Sequence, residues 1–420
     1  MNVRNKVPEL QARLSHAAKQ SLDRRFGALY DKIYRSDVLW MAWKRVRSNK
    51  GAPGVDDVSI DYVKEVVGEM EFLKEIQEEL HRRTYRPQPV LRCWIDKPGK
   101  PEKRPLGIPV LKDRVVQMAT KLVIEPIFET NFLPCSYGFR PGKDCHDAID
   151  KIRREITFEG CREVIDADIK GYFDNIRHDL LMNLVERRIS DPRVLRLIRD
   201  WLKAGVLDQG TFHAPDGTGT PQGGVISPLL ANIYLHSFDK MFALSGIRGT
   251  LVRYADDLVI LLHEGGRRVL GKIRRMLNRL GLELHDGKTR IADVRKGFDF
   301  LGVHFRLSPV KKQGSWLKES CRLWPSDKSY SRIKEKIRQR IGRRCSLSLE
   351  EMIAGLNPII RGWNNYHTRI RSSVQRLRKL NGFVWERLRI FLKRKHSDPT
   401  RGSRRIRNKI LVELGLCRFG

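Results

Sequence analysis

The stretch Leu251–Ile260 reads LVRYADDLVI and sets two adjacent aspartates, Asp256 and Asp257, between two apolar runs. The apolar flanks predict two short strands that meet at the acidic pair. Like charges held against a buried hairpin cost stability unless a cation sits against them. A third carboxylate bears on this: Asp168 ends VIDAD (164–168), a predicted strand running into a turn. If the strands are neighbours in one sheet, the three carboxylates converge. Such a set binds Mg²⁺, a hard cation that accepts a few carboxylates and completes its shell with water and phosphate oxygens. Two ions about 4 Å apart clamp the attacking and leaving oxygens of an in-line phosphoryl transfer. The plain alternative is an acidic hairpin turn with no ligand.

The surrounding chain has the opposite charge. Its 420 residues carry 82 Lys+Arg against 49 Asp+Glu, a net charge of +33. With 40% apolar residues it is a globular chain long enough for two or three domains. A surplus of this size, spread along the sequence, points to a polyanionic partner, nucleic acid first; a solvated basic surface is the alternative. No apolar run approaches the roughly 20 residues of a membrane span. The start, MNVRNKVPELQARL, carries no apolar segment, so no secretory signal is expected. Seven cysteines without a CxxC pair argue against a zinc ribbon or a disulfide framework, and Cys145–His146 reads as a packed thiol beside a histidine. A reducing, cytoplasmic compartment follows.

Residues 1–48 and 60–83 have helical apolar spacing, with the loop NKGAPGVDD (49–57) between them. RPQPVLRCWIDKPGKPEKRPLGIP (86–109) reads as two strands around a basic turn, since Pro98, Gly99 and Pro101 forbid helix. Helix is expected at 112–130, 178–189 and 267–282, and strands near 162–168, 251–262 and 298–305. TPQGG (220–224) is a glycine-rich loop that opens a long helix. After about residue 325 everything reads as helix, with Ile333, Ile337 and Ile341 at i, i+4, i+8. The last hundred residues carry 26 Lys/Arg against 7 Asp/Glu. That pattern suits a nucleic-acid-gripping helical domain, or a helical dimerisation domain.

Single motifs here are ambiguous. Lys97, Lys103 and Arg104 have the chemistry to hold a triphosphate, but also suit a solvated turn. Gln222 offers a neutral donor and acceptor beside two glycines. Their order is more telling. A basic hairpin, a strand ending in Asp, a PQG loop opening a helix, YADD, Lys288 after a glycine turn, then FLG (300–302) resembles the order found in reverse transcriptases. The resemblance covers about residues 45–305, and FRPGKDCHDAI (139–149) is similar to the segment between fingers and palm. NKGAPGVDDVSI (49–60) and LNPIIRGWNNYH (356–367) are similar to the N-terminal extension loop and the maturase (X, or thumb) domain of bacterial group II intron-encoded members.

The resemblance implies an α+β right-hand polymerase fold, with antiparallel sheet in fingers and palm, followed by an all-helical thumb/X domain. Its divisions would be an N-terminal helical extension (1–48), fingers (49–160), palm (161–310), thumb/X (311–395) and a short basic DNA-binding-like tail (396–420). Asp168, Asp256 and Asp257 would be the catalytic carboxylates, holding two Mg²⁺ ions with the Ile169 carbonyl. Lys97 and Arg104 would hold the incoming triphosphate, Gln222 would lie near its sugar, and Lys288 near its phosphates. Phe173 would exclude a 2′-hydroxyl, selecting deoxynucleoside triphosphates. Leu301 and Gly302 would belong to the primer grip. The basic hairpin departs from the family pattern by an inserted-looking GKPEK, and a C-terminal nuclease module is not expected.

In 349–395 the stripe Ile353, Leu356, Ile359, Ile360, Trp363 and Tyr366 reads as core. Around it, Arg361, Arg369, Arg371, Arg376, Arg378, Lys379, Arg387, Arg389, Lys393, Arg394 and Lys395 would face phosphates of structured RNA, which is read by shape and backbone. The partners implied are a group II intron RNA, an RNA template with a DNA primer, and a DNA target. The function implied is RNA-directed DNA polymerisation with splicing assistance and retrohoming by target-primed reverse transcription. Two alternatives stay open: a domesticated relative in phage defence or DNA repair, and a non-catalytic RNA-binding splicing chaperone.

Overall fold

The computed structural model describes residues 6–96, 102–312, 315–342, 346–368, 370, 374–395 and 408–420. In chain order the elements begin α1 (Val7–Gln20), α2 (Tyr30–Ile33), α3 (Ser36–Ser48), α4 (Ile60–Tyr62), α5 (Glu69–Arg82), β1 (Val90–Asp96), β2 (Lys103–Ile108), α6 (Leu111–Glu129) and α7 (Cys145–Thr157). Next come β3 (Glu163–Asp168), α8 (His178–Glu186), α9 (Pro192–Lys203), β4 (Val206–Asp208), β5 (Thr211–His213), α10 (Ser227–Ala243), β6 (Gly249–Tyr254), β7 (Asp257–Leu262) and α11 (Gly266–Asn278). The last are β8 (Arg290–Asp293), β9 (Phe298–Phe300), β10 (Val303–Lys312), β11 (Ser315–Pro325), α12 (Asp327–Ile341), α13 (Leu349–His367), α14 (Val374–Lys395) and α15 (Asn408–Glu413). The chain divides into two compact units, residues 1–148 with 165–291, and residues 149–164 with 292–420.

The first unit is organised around α6. Its apolar residues surround the whole helix, so burial on one side alone cannot satisfy it, and α1 and α3 pack against it. Trp43 of α3 is fully buried and meets Phe72 edge-on at 5.6 Å. One sheet runs β2-β1-β4-β5 and the other β6-β7-β3-β8. β1 and β2, β4 and β5, and β6 and β7 pair antiparallel, and β1 runs parallel to β4. Leu258–Leu262 of β7 are all buried, the pattern of a strand covered on both faces. Residues 60–83 do not form the single helix expected. Gly68 takes φ +88 after a π turn at Val63–Val67, and α5 starts anew beyond it.

In the second unit, β10 and β11 form a long hairpin joined by β9. Residues 311–312 and 315–325, which the sequence reading places in the helical thumb/X division, are therefore strand. Helix begins at Asp327, where Ser326 caps it by accepting from the Ser329 N–H. The helices share a core of Ile333, Ile337, Ile341, Ile353, Leu356, Ile360, Leu388 and Phe391. A Ser348/Glu351 capping box opens α13. Residues 396–407 of the expected basic tail lie outside the described residues. Residues 408–420 pack into this core through Leu411, Leu416 and Phe419. Asn357 brackets the backbone at Gly415 and Cys417, and Asn381 donates to and accepts from Phe419. No helix among the described residues is long and apolar enough to cross a membrane.

Candidate active site

The acidic pair sits on a two-residue turn. Tyr254 pairs with Asp257 across β6 and β7, leaving Ala255 and Asp256 at the tip. Ala255 has φ +57, a conformation a non-glycine residue adopts only when its surroundings hold it there. The hold comes from Arg253, a fully buried cation three residues before Asp256. Its guanidinium donates to both carboxylate oxygens of Asp239 (2.9 and 2.6 Å), to Asn232 Oδ1 (2.9 Å) and to the Ala255 carbonyl (3.0 Å). Asp239 is as buried as its partner. From outside, the segment 135–138 runs along β6: Arg253 N–H donates to the Cys135 carbonyl and Tyr137 N–H to the Arg253 carbonyl, each at 2.8 Å. A Cβ on Gly138 would overlap the Ala255 backbone, so only glycine allows this approach. Asn232 Nδ2 also donates to the Gly138 carbonyl.

Asp168 ends β3, the strand beside β7, and the sheet brings it within electrostatic reach of both turn aspartates. Burial raises the Asp256 carboxyl above its ordinary value, Asp168 adds repulsion, and Arg104 and Arg253 partly offset it. Asp257 is pushed up to about 6 by burial, then by Asp256, Asp168 and Asp166, with Lys288 opposing. Asp257 keeps an open edge to solvent, which tempers the repulsion without removing it. Lys288 Nζ lies 3.0 and 3.1 Å from the two Asp168 oxygens, and Arg290 pairs with Asp166 at 3.1 Å. Beyond Asp168, Ile169 pairs with Leu284 through the His285 N–H to the Asp168 carbonyl and the Lys170 N–H to the Glu283 carbonyl. In such a non-hydrogen-bonded antiparallel pair the Ile169 carbonyl points away from Leu284, toward the side of β7.

Among the described residues no group of three or more His, Cys, Asp or Glu side chains forms a ready-made metal cage. The donor set nevertheless fits a hard divalent cation: mutually repelling carboxylates beside a backbone carbonyl, with Asp168 countered by a lysine amine.

The other sequence-predicted residues of the first unit are held by contacts of their own. Phe173 is half-buried on the turn after β3 and stacks edge-on with Tyr172 at 5.4 Å. Its carbonyl accepts from Thr220 N–H at 2.9 Å, which ties it to the TPQGG loop. The Gln222 carbonyl accepts from Gly107 N–H of β2 at 2.6 Å. Gly223 has φ +121, and a Cβ there would fall 2.5 Å from the Gly107 carbonyl, so the loop needs glycine for two reasons at once. The buried Gln117 Oε1 of α6 accepts from Val225 N–H at 2.9 Å, fixing the entry to α10. Arg104 is exposed on β2 and acts electrostatically on Asp256. Lys97 lies outside the described residues.

Leu301 and Gly302 belong to the second unit, at the turn joining β9 and β10. Both have positive φ, +47 and +73. The Leu301 carbonyl accepts from Tyr366 Oη at 2.6 Å and the Gly302 carbonyl from Ser326 N–H at 2.9 Å. Of the basic residues, Arg369 and Arg371 lie outside the described residues, and Arg378 and Lys379 are exposed. Several others have internal partners. Arg361 donates to Cys417 Sγ, Arg376 to Asp327 and Arg389 to Asn408, and Arg387 lies over the Phe383 ring.

Sequence reasoning missed the scaffold beneath the turn: Arg253, Asp239, Asn232 and Gly138. One signal was present. Asn232 and Asp239 are seven apart on a largely apolar helix, hence on one face, and both are buried, so a polar partner is needed there.

Two family models match the chain: the reverse transcriptase (RNA-dependent DNA polymerase) model at residues 95–305, and the group II intron maturase-specific domain at residues 330–410. The chain is 42% identical over 230 residues to the group II intron-encoded protein LtrA of Lactococcus lactis subsp. cremoris, covering 54% of this chain and 37% of that protein. It is 37% identical over 338 residues to protein YkfC of Escherichia coli K12, covering 70% of this chain and 87% of YkfC. A 91 kDa protein in the cob intron of Schizosaccharomyces pombe is 28% identical over 448 aligned positions, 87% of this chain and 53% of that protein. The chain thus spans little more than a third of its lactococcal relative.

Proposed function

Because the chain belongs to the reverse transcriptase (RNA-dependent DNA polymerase) family and carries a group II intron maturase-specific domain, we propose that it copies RNA into DNA at the Asp168–Asp256–Asp257 cluster. The observation that carries this reading is the mutual repulsion of those carboxylates at the ends of neighbouring strands, faced by Arg104 and Lys288. A site that holds more carboxylate charge than Lys288, paired with Asp168, offsets is built for a cation that arrives with the substrate.

In this reading Asp168, Asp256, Asp257 and the Ile169 carbonyl hold divalent ions, two Mg²⁺ by the chemistry of the donors. When bound, those ions would favour the ionised 3′-hydroxyl and offset charge on the departing pyrophosphate. Arg104, with Lys97, binds the triphosphate, and Lys288 stands beside the phosphates. Gln222 lies near the sugar on a loop fixed by Gly107 and Gln117. Phe173, its backbone tied to that loop, packs where a 2′-hydroxyl would clash and so selects deoxynucleotides. Residues 49–160 form fingers and 161–310 palm of a right-hand fold, with the β10–β11 hairpin leading into the thumb/X helices.

The second half of the function is RNA binding. The helical domain and the basic surplus support binding to a group II intron RNA, splicing assistance, and retrohoming into a DNA target in a bacterial cytoplasm. Asp256→Asn tests the division of labour. It should abolish primer extension on an RNA template and leave RNA binding and splicing assistance near wild type. Wild-type extension by this variant sinks the active-site assignment.

A further inference from the structure

We propose that Tyr366 is a positioning residue for DNA synthesis: its hydroxyl fixes the Leu301–Gly302 turn in the shape that grips the primer. The inference rests on the reading of that turn as the primer grip. Four observations support it. Leu301 occupies the left-handed region at φ +47, where a side chain with a Cβ is disfavoured, so the turn needs outside support. The support is a short hydrogen bond, Tyr366 Oη to the Leu301 carbonyl at 2.6 Å. The next carbonyl, Gly302, is held by Ser326 N–H, the capping residue of α12. The end of α13 is itself locked to the start of α12: Ser329 Oγ meets His367 Nε2 at 3.0 Å and accepts from Trp363 Nε1 at 3.2 Å.

Trp363, Tyr366 and His367 all lie in LNPIIRGWNNYH, the motif of the maturase-specific domain. Their apolar spacing alone suggests core. Here their polar atoms converge on one β-turn and on the helix start beside it. A helix of the RNA-binding domain thereby sets the backbone of a polymerase element within the same unit.

Tyr366→Phe removes the hydroxyl and keeps the ring. Loss of one hydrogen bond to a strained carbonyl should raise the apparent KM for primer–template roughly 3- to 10-fold. The KM for deoxynucleotides should stay at its wild-type value, and the thermal midpoint should fall by no more than about 5 °C. Adding Leu301→Gly, which relaxes the left-handed turn, should restore much of the primer KM. A photo-crosslinking amino acid at position 301 separates the two layers of the argument. No crosslink to the primer strand removes the primer-grip reading and the proposal with it. A crosslink together with an unchanged primer KM in Tyr366→Phe overturns the proposal alone. So does a fall in thermal midpoint that accounts for the whole loss, with no rescue by Leu301→Gly.

Discussion

The buried Arg253–Asp239 pair gives the sharpest test of how the acidic turn is held. Both side chains are fully buried, and the guanidinium makes four hydrogen bonds of 2.6–3.0 Å. Removing one partner strands a charge without solvent, a loss of about 3–5 kcal/mol. For a unit of this size that is on the order of a 10 °C fall in thermal midpoint. Arg253→Met and Asp239→Leu should each show it. The double variant removes both charges and refills the space with apolar atoms, so it should recover to within about 2 kcal/mol of wild type. The residual reflects the acceptors left on Asn232 and Ala255, about 1 kcal/mol each. Primer extension should follow a different course. In the double variant the Ala255 carbonyl has no donor, the φ +57 turn loses its brace, and the rate should stay at least about tenfold down despite restored folding. Thermal melts and single-turnover extension on the same preparations separate the two effects. Single variants that lose less than about 1 kcal/mol would refute the energetic argument, and a fully active double variant would refute the positioning role.

Further outcomes follow from the site and from the basic helices. Asp257 is raised to about 6, above its unfolded value, so the native state binds more protons between those values and the ion-free protein should lose stability as pH rises through 6. Metal binding needs the ionised form, so the Mg²⁺ concentration for half-maximal extension should climb as pH falls from 7.5 to 5.5; a flat profile contradicts the coupling. Phe173→Ala should raise ribonucleotide incorporation roughly 10- to 100-fold, measured by competition between the two sugars, and unchanged discrimination would remove Phe173 from the gate. Arg378→Glu with Lys379→Glu, both exposed, should flatten the log–log salt dependence of RNA binding by about 1–2, whereas Arg376→Ala, which breaks contacts to Asp327 and Tyr330, should lower the melting temperature.

How much of this was legible depends on the range of the interactions concerned. The hairpin at YADD, the strand ending at Asp168 and the glycine loop before α10 are local, written in turn residues and apolar alternation within a dozen positions. Family order carried the rest of the site: nothing near Asp168 in sequence announces that β3 lies between β7 and β8. The long β10–β11 hairpin was missed because its second strand, with Lys318, Glu319 and Arg322 among apolar residues, has the look of the basic helices that follow. Gly68 sits inside the helical apolar period of 60–83, though its φ of +88 ends the helix there. The basic helices differ residue by residue in their contacts. Charge counts do not distinguish Arg378, which faces water, from Arg376, Arg361 and Arg389, which tie the domain to itself.

Asp256 and Asp257 need a cation against them in a chain of net charge +33. Arg253, in the same stretch, is the nearest candidate by sequence. The structure assigns it elsewhere, with both carboxylate oxygens of Asp239 taking its guanidinium. That pairing has a functional consequence. Had Arg253 faced the turn, its permanent charge would have neutralised one carboxylate and competed with any metal ion. Neutralised below by Asp239, it supplies geometry through the Ala255 carbonyl and leaves the field of the turn aspartates largely intact. The other counter-charges, Lys288 on Asp168 and Arg104 toward Asp256, come from long, solvent-facing side chains whose chemistry also suits phosphates. Under the proposed function the rigid cation would position the carboxylates, and the exposed ones would be left to follow the substrate.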